Sequence, residues 1–457
     1  MSFAKRDILI MNQKVLLLVG VVALTYIGLF RITGSEVRSE TEIDITRGTV
    51  EPSPIAVTNF HAVDPSAEIL GAEISAVIAA NLEGSGLFRP IDQRAFQQKP
   101  EELQQIPRFV DWRQINAEFL VSGMVEVGPD NLVNVEFRLW NVVSEQYMVG
   151  KRLKTPKANW RRVAHLISDE LYTRVTGEGG YFDTRIVYVA ESGPADNRVK
   201  QLALMDQDGE NHRYLTDGRH MALTPRFSPT LQEITYLSYF NDKPRVYIYN
   251  IDTGKQEVLG DFPGMTFAPR FSPDGNQVIM SMARYGNSDI YVMDLHTRVV
   301  EKLTDHPAIE TAPSFSPDAQ RVTFESDRSG KQQIYVMEAV PGAESKRISY
   351  GSGKYATPVW SPRGDWIAFT NIYRGVFYIG VMRPDGTGER KLAKGFLVEG
   401  PTWAPNGRLL MFYRQEPPTG EGSGDVGLYS VDILGTNLRK VMTPMNASDP
   451  AWSPLIP

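Results

Sequence analysis

The 457-residue chain contains no cysteine. That removes disulfides, thiolate metal sites and cysteine nucleophiles together. Histidine is scarce. The 6 copies, at positions 61, 165, 212, 220, 296 and 306, have no metal-ligand spacing. Catalytic signatures are missing too, with no G-x-S-x-G, no H-E-x-x-H and no P-loop. Gly84-Ser-Gly86 follows a helical pattern rather than a strand, so it is not a dinucleotide fingerprint. The net charge of −6 is small and argues against a broad nucleic-acid or anionic-membrane surface. What remains is an ordinary globular composition, 42% apolar and 22% charged, with room for roughly two or three domains.

Long hydrophobic runs are also rare. The uncharged stretch Val15–Phe30 falls short of the ~20 residues a span needs. Lys5, Arg6 and Lys14 precede it, and Thr33 and Ser35 have the small-x-small spacing of a signal peptidase site. The expectation is a secretory signal over residues 1–35, leaving Glu36 as the first mature residue. The alternative is a retained membrane anchor.

The second half of the chain is dominated by one motif, Pro-x-(Phe/Trp)-(Ser/Ala)-Pro. It starts at Pro225, Pro269, Pro313, Pro358, Pro401 and Pro450. A period of roughly 40–50 residues built from short strands predicts a β-propeller with one blade per repeat, hence six blades. The first repeat begins at its second strand, near Arg185, and the last motif has no second strand behind it. The two partial repeats together make one blade. Residues 449–453 are expected to pair with the strand near 186–190 and close the ring. Ser272-Pro-Asp-Gly275 fits a type I turn, with Ser316–Ala319 and Ser361–Gly364 as looser versions. Asp274 and Asp318 read as turn formers rather than metal ligands. The motif aromatics, from Phe227 to Trp452, read as packing between neighbouring sheets.

Ahead of the repeats, residues 36–53 are polar and read as a flexible arm. Residues 54–176 read as a small α/β domain. Its pattern is a buried strand at 54–60, a helix after Asp64-Pro65, strands at 119–127, 131–142 and 146–153, and a helix at 160–175. The helix stripe is Ile69, Leu70, Ile74, Val77, Ile78 and Leu82. Gly177, Gly179 and Gly180 mark the joint to a propeller over 181–457. The fold class is therefore mainly β, a six-bladed propeller preceded by a small α/β domain.

Function should reside in the loops that differ from blade to blade: 216–224, 260–268, 304–312, 349–357, 393–400 and 443–449. These lie on the face opposite the Ser-Pro-Asp-Gly turns. They carry exposed-looking Met221, Met265, Phe267, Tyr355, Phe396 and Met445 among polar groups, which suits a partner site around a funnel. The competing reading is that these side chains plug the channel. An envelope propeller enzyme acting on sugars or peptides is the alternative function. It would need converging carboxylates, and Glu310, Glu399 and Asp449 sit on three separate blades.

The segment DWRQINAEFLVSGMV (111–125), with FSPDG, IYVMD and the closing PAWSP, resembles the TolB family of the bacterial Tol–Pal envelope system. The likeness covers the chain beyond the signal segment, apart from an insertion at 416–425. It implies a periplasmic, monomeric binding protein with no catalytic residue, cofactor or metal, peripheral to the envelope membranes. It implies the lipoprotein Pal at the funnel mouth, through His220, Met221, Thr224, Met265, Phe267, Ala268, Glu310, Thr311, Tyr355, Thr357, Glu399 and Asp449. It further implies TolA on the mature N-terminal arm, through Glu36, Val37, Ile43, Asp44 and Ile45. Roles in outer-membrane integrity and cell division follow from the resemblance, as does exploitation by bacteriocins.

Overall fold

A computed structural model describes residues 51–194, 197–240, 243–260, 262, 265–418 and 424–457. The signal segment and the arm residues Glu36, Val37, Ile43, Asp44 and Ile45 lie outside the described residues. Among the described residues, no helix is long and apolar enough to cross a membrane.

The first domain is one mixed sheet with helices on both faces. Its strands are β1 (Ser53–Val57), β2 (His61–Ala62), β3 (Phe88–Pro90), β4 (Phe119–Val127), β5 (Leu132–Asn141) and β6 (Gln146–Pro156). The order is β3-β1-β4-β5-β6, with β2 also on β4. β1 lies between two parallel neighbours, with Ile55 opposite Phe119. A strand flanked on both sides reads as a continuous apolar run. The Gly128–Asn131 turn between β4 and β5 closes through Asn131 N–H to Gly128 O, 3.0 Å.

Three helices complete this domain: α1 (Glu68–Gly84), α2 (Phe109–Gln114) and α3 (Trp160–Thr176). α1 buries Leu70, Ile74, Val77, Ile78 and Leu82, as its period predicts. Ile69 corrects the expected stripe: it is 75% exposed. At 100° per residue it points well away from the centre of the face formed by Leu70, Ile74 and Ile78. α2, which the sequence pattern does not predict, packs Phe109 and Trp112 with Leu120 and Trp140 on the other side of the sheet.

Six four-stranded antiparallel sheets follow. Their inner strands are Ala222–Phe227, Met265–Phe271, Glu310–Phe315, Lys354–Trp360, Leu397–Trp403 and Asn446–Trp452. The last of these pairs with Arg185–Ser192, placing Trp452 opposite Ile186 and Ala447 opposite Ala190. The ring therefore closes by joining the two partial repeats, as the sequence implies. Ser453 seals the seam: its N–H donates to Arg185 O, 2.9 Å, and its hydroxyl accepts from Arg185 N–H, 2.8 Å.

The motif residues hold the blades together. Gly275 N–H donates to Ser272 O at 2.9 Å, and Asp274 accepts from the Asn276 N–H, so the turn satisfies itself without a metal. Trp403 reaches back one blade and donates to Val359 O, 3.0 Å. Trp452 donates to Thr184 Oγ1, 2.8 Å.

The joint between the domains is rigidly hydrogen-bonded. Asp169 on α3 accepts from the N–H groups of Phe182, 2.7 Å, and Asp183, 2.9 Å. Gly84 O accepts from Asn437, Gly179 O from Asn406, and Glu178 pairs with Arg363. Asn406 and Arg363 belong to the Ser-Pro-Asp-Gly-type turns, and Asn437 to the other turn on that face. The α/β domain thus sits on the turn face of the propeller, over its fourth, fifth and sixth blades.

Candidate functional site

Each inner strand carries the same irregularity just before the motif proline. The register to the second strand slips at that point in all six blades, between Leu223 and Arg226 in the first and between Ser448 and Ala451 in the last. The residue before the proline takes a positive φ at Thr224 (47°), Ala312 (52°), Thr357 (49°), Gly400 (66°) and Asp449 (47°). For a β-branched threonine this region is strained and persists only where the surroundings enforce it. Such a bulge re-aims groups from the ladder, here toward the channel.

Carboxylates answer those re-aimed groups. Thr357 N–H donates to Glu325 Oε2, 2.8 Å, and the Thr311 hydroxyl donates to Glu325 Oε1. Tyr413 donates to Glu399 Oε2, 2.9 Å. Asp449 accepts from the Thr224 N–H across the seam between blades. Burial pushes the carboxyls of Glu325, Glu399 and Asp449 above their ordinary range, against the pull of these donors, and Asp449 adds to the rise at Glu399. The loop-face half of the channel is therefore acidic.

Further along the same inner strands, toward the turn face, the channel widens into a cavity of about 420 Å³. All six motifs line it, including Arg226, Arg270 and the second proline of each copy.

The residues expected at the funnel mouth divide into three groups. His220 and Met221 are exposed on the 216–221 loop, Phe267 is half-buried, and Phe396 is 49% exposed. Thr224, Thr311, Thr357, Glu399 and Asp449 line the bulge ring inside the mouth, as described above. The side chains of Met265 and Ala268 lie outside the described residues. Met445 is half-buried and accepts from the Tyr214 hydroxyl.

Three expectations need correction. Tyr355 is not exposed. Its ring is fully buried against Phe369 and its hydroxyl donates to Glu389, 2.7 Å. Glu310 is fully buried and paired with Arg328, so its carboxylate is engaged within its own blade. It does not join Glu399 and Asp449, which are instead coupled to each other and to Glu325. Thr311 is not a loop end but the second residue of a strand, opposite Glu325.

Sequence reasoning missed Glu325, Arg226 and Arg270 in the channel. It also missed Tyr285 and Ile309 on the loop face, 92% and 51% exposed. The two arginines occupy the variable position of a motif read as architecture, where a charged residue was the available signal.

One cluster away from the channel has metal-ligand chemistry: His165, Asp206 and Asp208, between α3 and the sixth blade. Its hydrogen bonds argue for a different role. The Ser168 hydroxyl donates to Ala164 O, so it accepts from the Asn81 amide, whose N–H₂ also faces His165 Nδ1 at 2.9 Å. The imidazole proton is then on Nε2, 3.8 Å from each aspartate, and Arg161 shares Asp208. The cluster ties the domains together.

Comparison with known proteins decides the family. Residues 41–148 match the TolB amino-terminal domain, and residues 172–456 match the TolB beta propeller domain. The Tol-Pal system protein TolB of Paramagnetospirillum magneticum strain AMB-1 is 58% identical over 421 residues, which is 92% of this chain and 94% of that protein. This chain belongs to the TolB family. The crystal structure of TolB from Acinetobacter baumannii superposes with a TM-score of 0.77 at 26% identity, covering 91% of this chain and all of that one. The TolB family is not catalytic, and this chain is accordingly a Tol–Pal system protein rather than an enzyme.

Proposed function

We propose that this TolB-family chain is a periplasmic scaffold that docks the Pal lipoprotein on its loop face and TolA on its N-terminal arm. In that role it supports outer-membrane integrity and constriction during division, and bacteriocins exploit the same surfaces. The observation that carries the reading is the asymmetry of the propeller's two faces. The α/β domain occupies part of the turn face, whereas the loop face presents Met221, Tyr285, Ile309 and Phe396 around a strained polar ring. Apolar anchors surrounding a desolvated polar centre are what a protein hot spot needs.

The contact set proposed for Pal is Met221, Phe267, Ala268, Thr311 and Phe396, with His220, Thr224, Thr357, Glu399 and Asp449 at the channel mouth. Thr311→Arg places a long cation in that mouth, where it blocks close approach. Calorimetric titration of the folded variant with Pal is expected to show at least a tenfold loss, roughly 1.4 kcal/mol or more. Wild-type affinity would move the Pal site elsewhere. For the arm, deleting residues 36–48 is expected to abolish TolA binding and spare Pal, by removing a segment able to add to a partner's sheet edge. Loss of both would mean that the arm only supports the fold. N-terminal sequencing of the exported protein is expected to begin at Glu36, and a product beginning at Met1 or Met11 would support the retained anchor.

A further inference from the structure

The position after each motif proline is the one motif site with no fixed residue class. It holds Arg226, Arg270, Ser314, Val359, Thr402 and Ala451, and all six line the turn-face cavity. Alternation along a strand explains this: the neighbouring aromatic turns into the blade, so the residue before it turns to the axis.

Two adjacent blades thus deliver guanidinium groups to one cavity. The Nε–H groups of Arg226 and Arg270 are shut off from bulk solvent and have no hydrogen-bond partner among the described residues. Arg226 donates one terminal N–H to its own Pro225 carbonyl. Two hydroxyls complete the wall. Ser314 Oγ accepts from Trp360 N–H, 3.1 Å, and Thr402 Oγ1 accepts from Trp452 N–H, 3.2 Å. Each acceptor role leaves the hydroxyl proton available to donate.

The charges are unbalanced in a particular way. Arg226 has Asp449 as a counter-charge, whereas the charge acting on Arg270 is that of Arg226 itself. Burial and that like charge both weigh against the cationic form of Arg270. An arginine does not relieve such a conflict by losing its proton. The acidic residues Glu325, Glu399 and Asp449 lie toward the loop face, so they bound any anion from that side and leave the proline-rimmed end as its entry.

We propose that the turn-face cavity is an anion site, in which Arg226 and Arg270, with the hydroxyls of Ser314 and Thr402, hold a small tetrahedral oxyanion of the phosphate or sulfate class. Donors come from four blades around the axis, which suits an acceptor with oxygens pointing in several directions. A lone carboxylate would satisfy one guanidinium fork and leave the other. A small oxyanion supplies the counter-charge that Arg270 lacks. The site does not depend on Pal or TolA binding.

The test is titration of the full chain with inorganic phosphate at constant ionic strength in sodium chloride, followed by calorimetry and by ³¹P line broadening. Phosphate is expected to bind and to raise the melting temperature above that in chloride, because a ligand held by the folded state stabilises it. Sulfate is expected to compete, and acetate is not. Arg270→Gln is expected to weaken phosphate at least tenfold. In chloride, the same variant is expected to melt above the wild type, since it removes the like-charge neighbour of Arg226. Saturating phosphate should narrow or reverse that order. Phosphate acting no differently from chloride would overturn the proposal, as would acetate matching phosphate or Arg270→Gln binding phosphate like the wild type. Should Arg270→Gln fail to fold, Arg226→Gln takes its place: a tenfold loss of phosphate binding supports the site, and wild-type binding overturns it.

Discussion

The two faces of the propeller are built from the same repeat and have opposite characters. On the turn face the chemistry recurs: a proline, an aromatic and a serine or alanine in all six blades, followed in four of them by a turn that closes on its own backbone hydrogen bond. On the loop face no two connections share a sequence, the residue before the proline takes a positive φ in five of the six blades, and apolar side chains stand in solvent. The first face carries closure and the docking of the α/β domain. The second is left to recognise something else. Repetition therefore marks what the fold requires, and departure from repetition marks where function can be placed. Arg226 and Arg270 apply the same rule inside the motif, as the charged exceptions at an otherwise small or apolar position.

Perturbations of the turn-face framework should be felt as stability, with effects that descend in order. Deleting residues 449–457 removes the closing strand, with Trp452 and the Ser453 seam, and exposes two sheet edges. The loss is expected to be comparable to a domain's whole stability, ~5–15 kcal/mol. A melting transition unchanged by the truncation would contradict the closure.

Asp169→Asn probes the joint. Burial raises the Asp169 carboxyl from 3.8 to about 6, against the pull of two backbone N–H donors. A raised carboxyl contributes stability that is fully present below the unfolded value and is lost as pH rises through the folded one. The wild type should therefore lose on the order of 2–3 kcal/mol between pH 4 and pH 6 from this group. Asp169→Asn should flatten that part of the stability–pH curve. An identical slope in both proteins would mean that Asp169 titrates normally.

A loop-face change inside the channel should be smaller. Tyr413→Phe removes the donor to Glu399 and is expected to cost about 1–2 kcal/mol at neutral pH. The cost should shrink as Glu399 becomes protonated in acid. A cost that is constant with pH would assign the effect to packing alone.

Much of the architecture was legible because it repeats. The motif spacing implied six blades, and the split repeat implied that Trp452 pairs near Ile186, as it does. Helical period located α1 and α3, but a window of mixed apolar residues could not place Ile69, whose neighbour Leu70 takes the core position. α2 was missed because six residues are too few to show a period. The candidate site was legible only in part. Loop position correctly indicated exposed Met221 and Phe396. It failed for Tyr355 and Glu310, because the inner strand begins earlier than the loop pattern suggests and turns both side chains into the blade. Glu325 was invisible, since it lies mid-pattern in a second strand and faces the channel only through the bulge opposite it. Bulges are set by backbone register, for which a single sequence carries little signal.

The most direct test of the two-face account is a paired titration of Pal against a loop-face variant, Phe396→Ala, and a turn-face variant, Arg363→Ala. Phe396 is an exposed apolar anchor, and Arg363 sits on the turn face, where it pairs with Glu178 at the domain joint. The account predicts a loss of roughly 1–2 kcal/mol of Pal affinity for Phe396→Ala and wild-type affinity for Arg363→Ala. Unchanged binding by Phe396→Ala together with weakened binding by Arg363→Ala would place Pal on the turn face and contradict it.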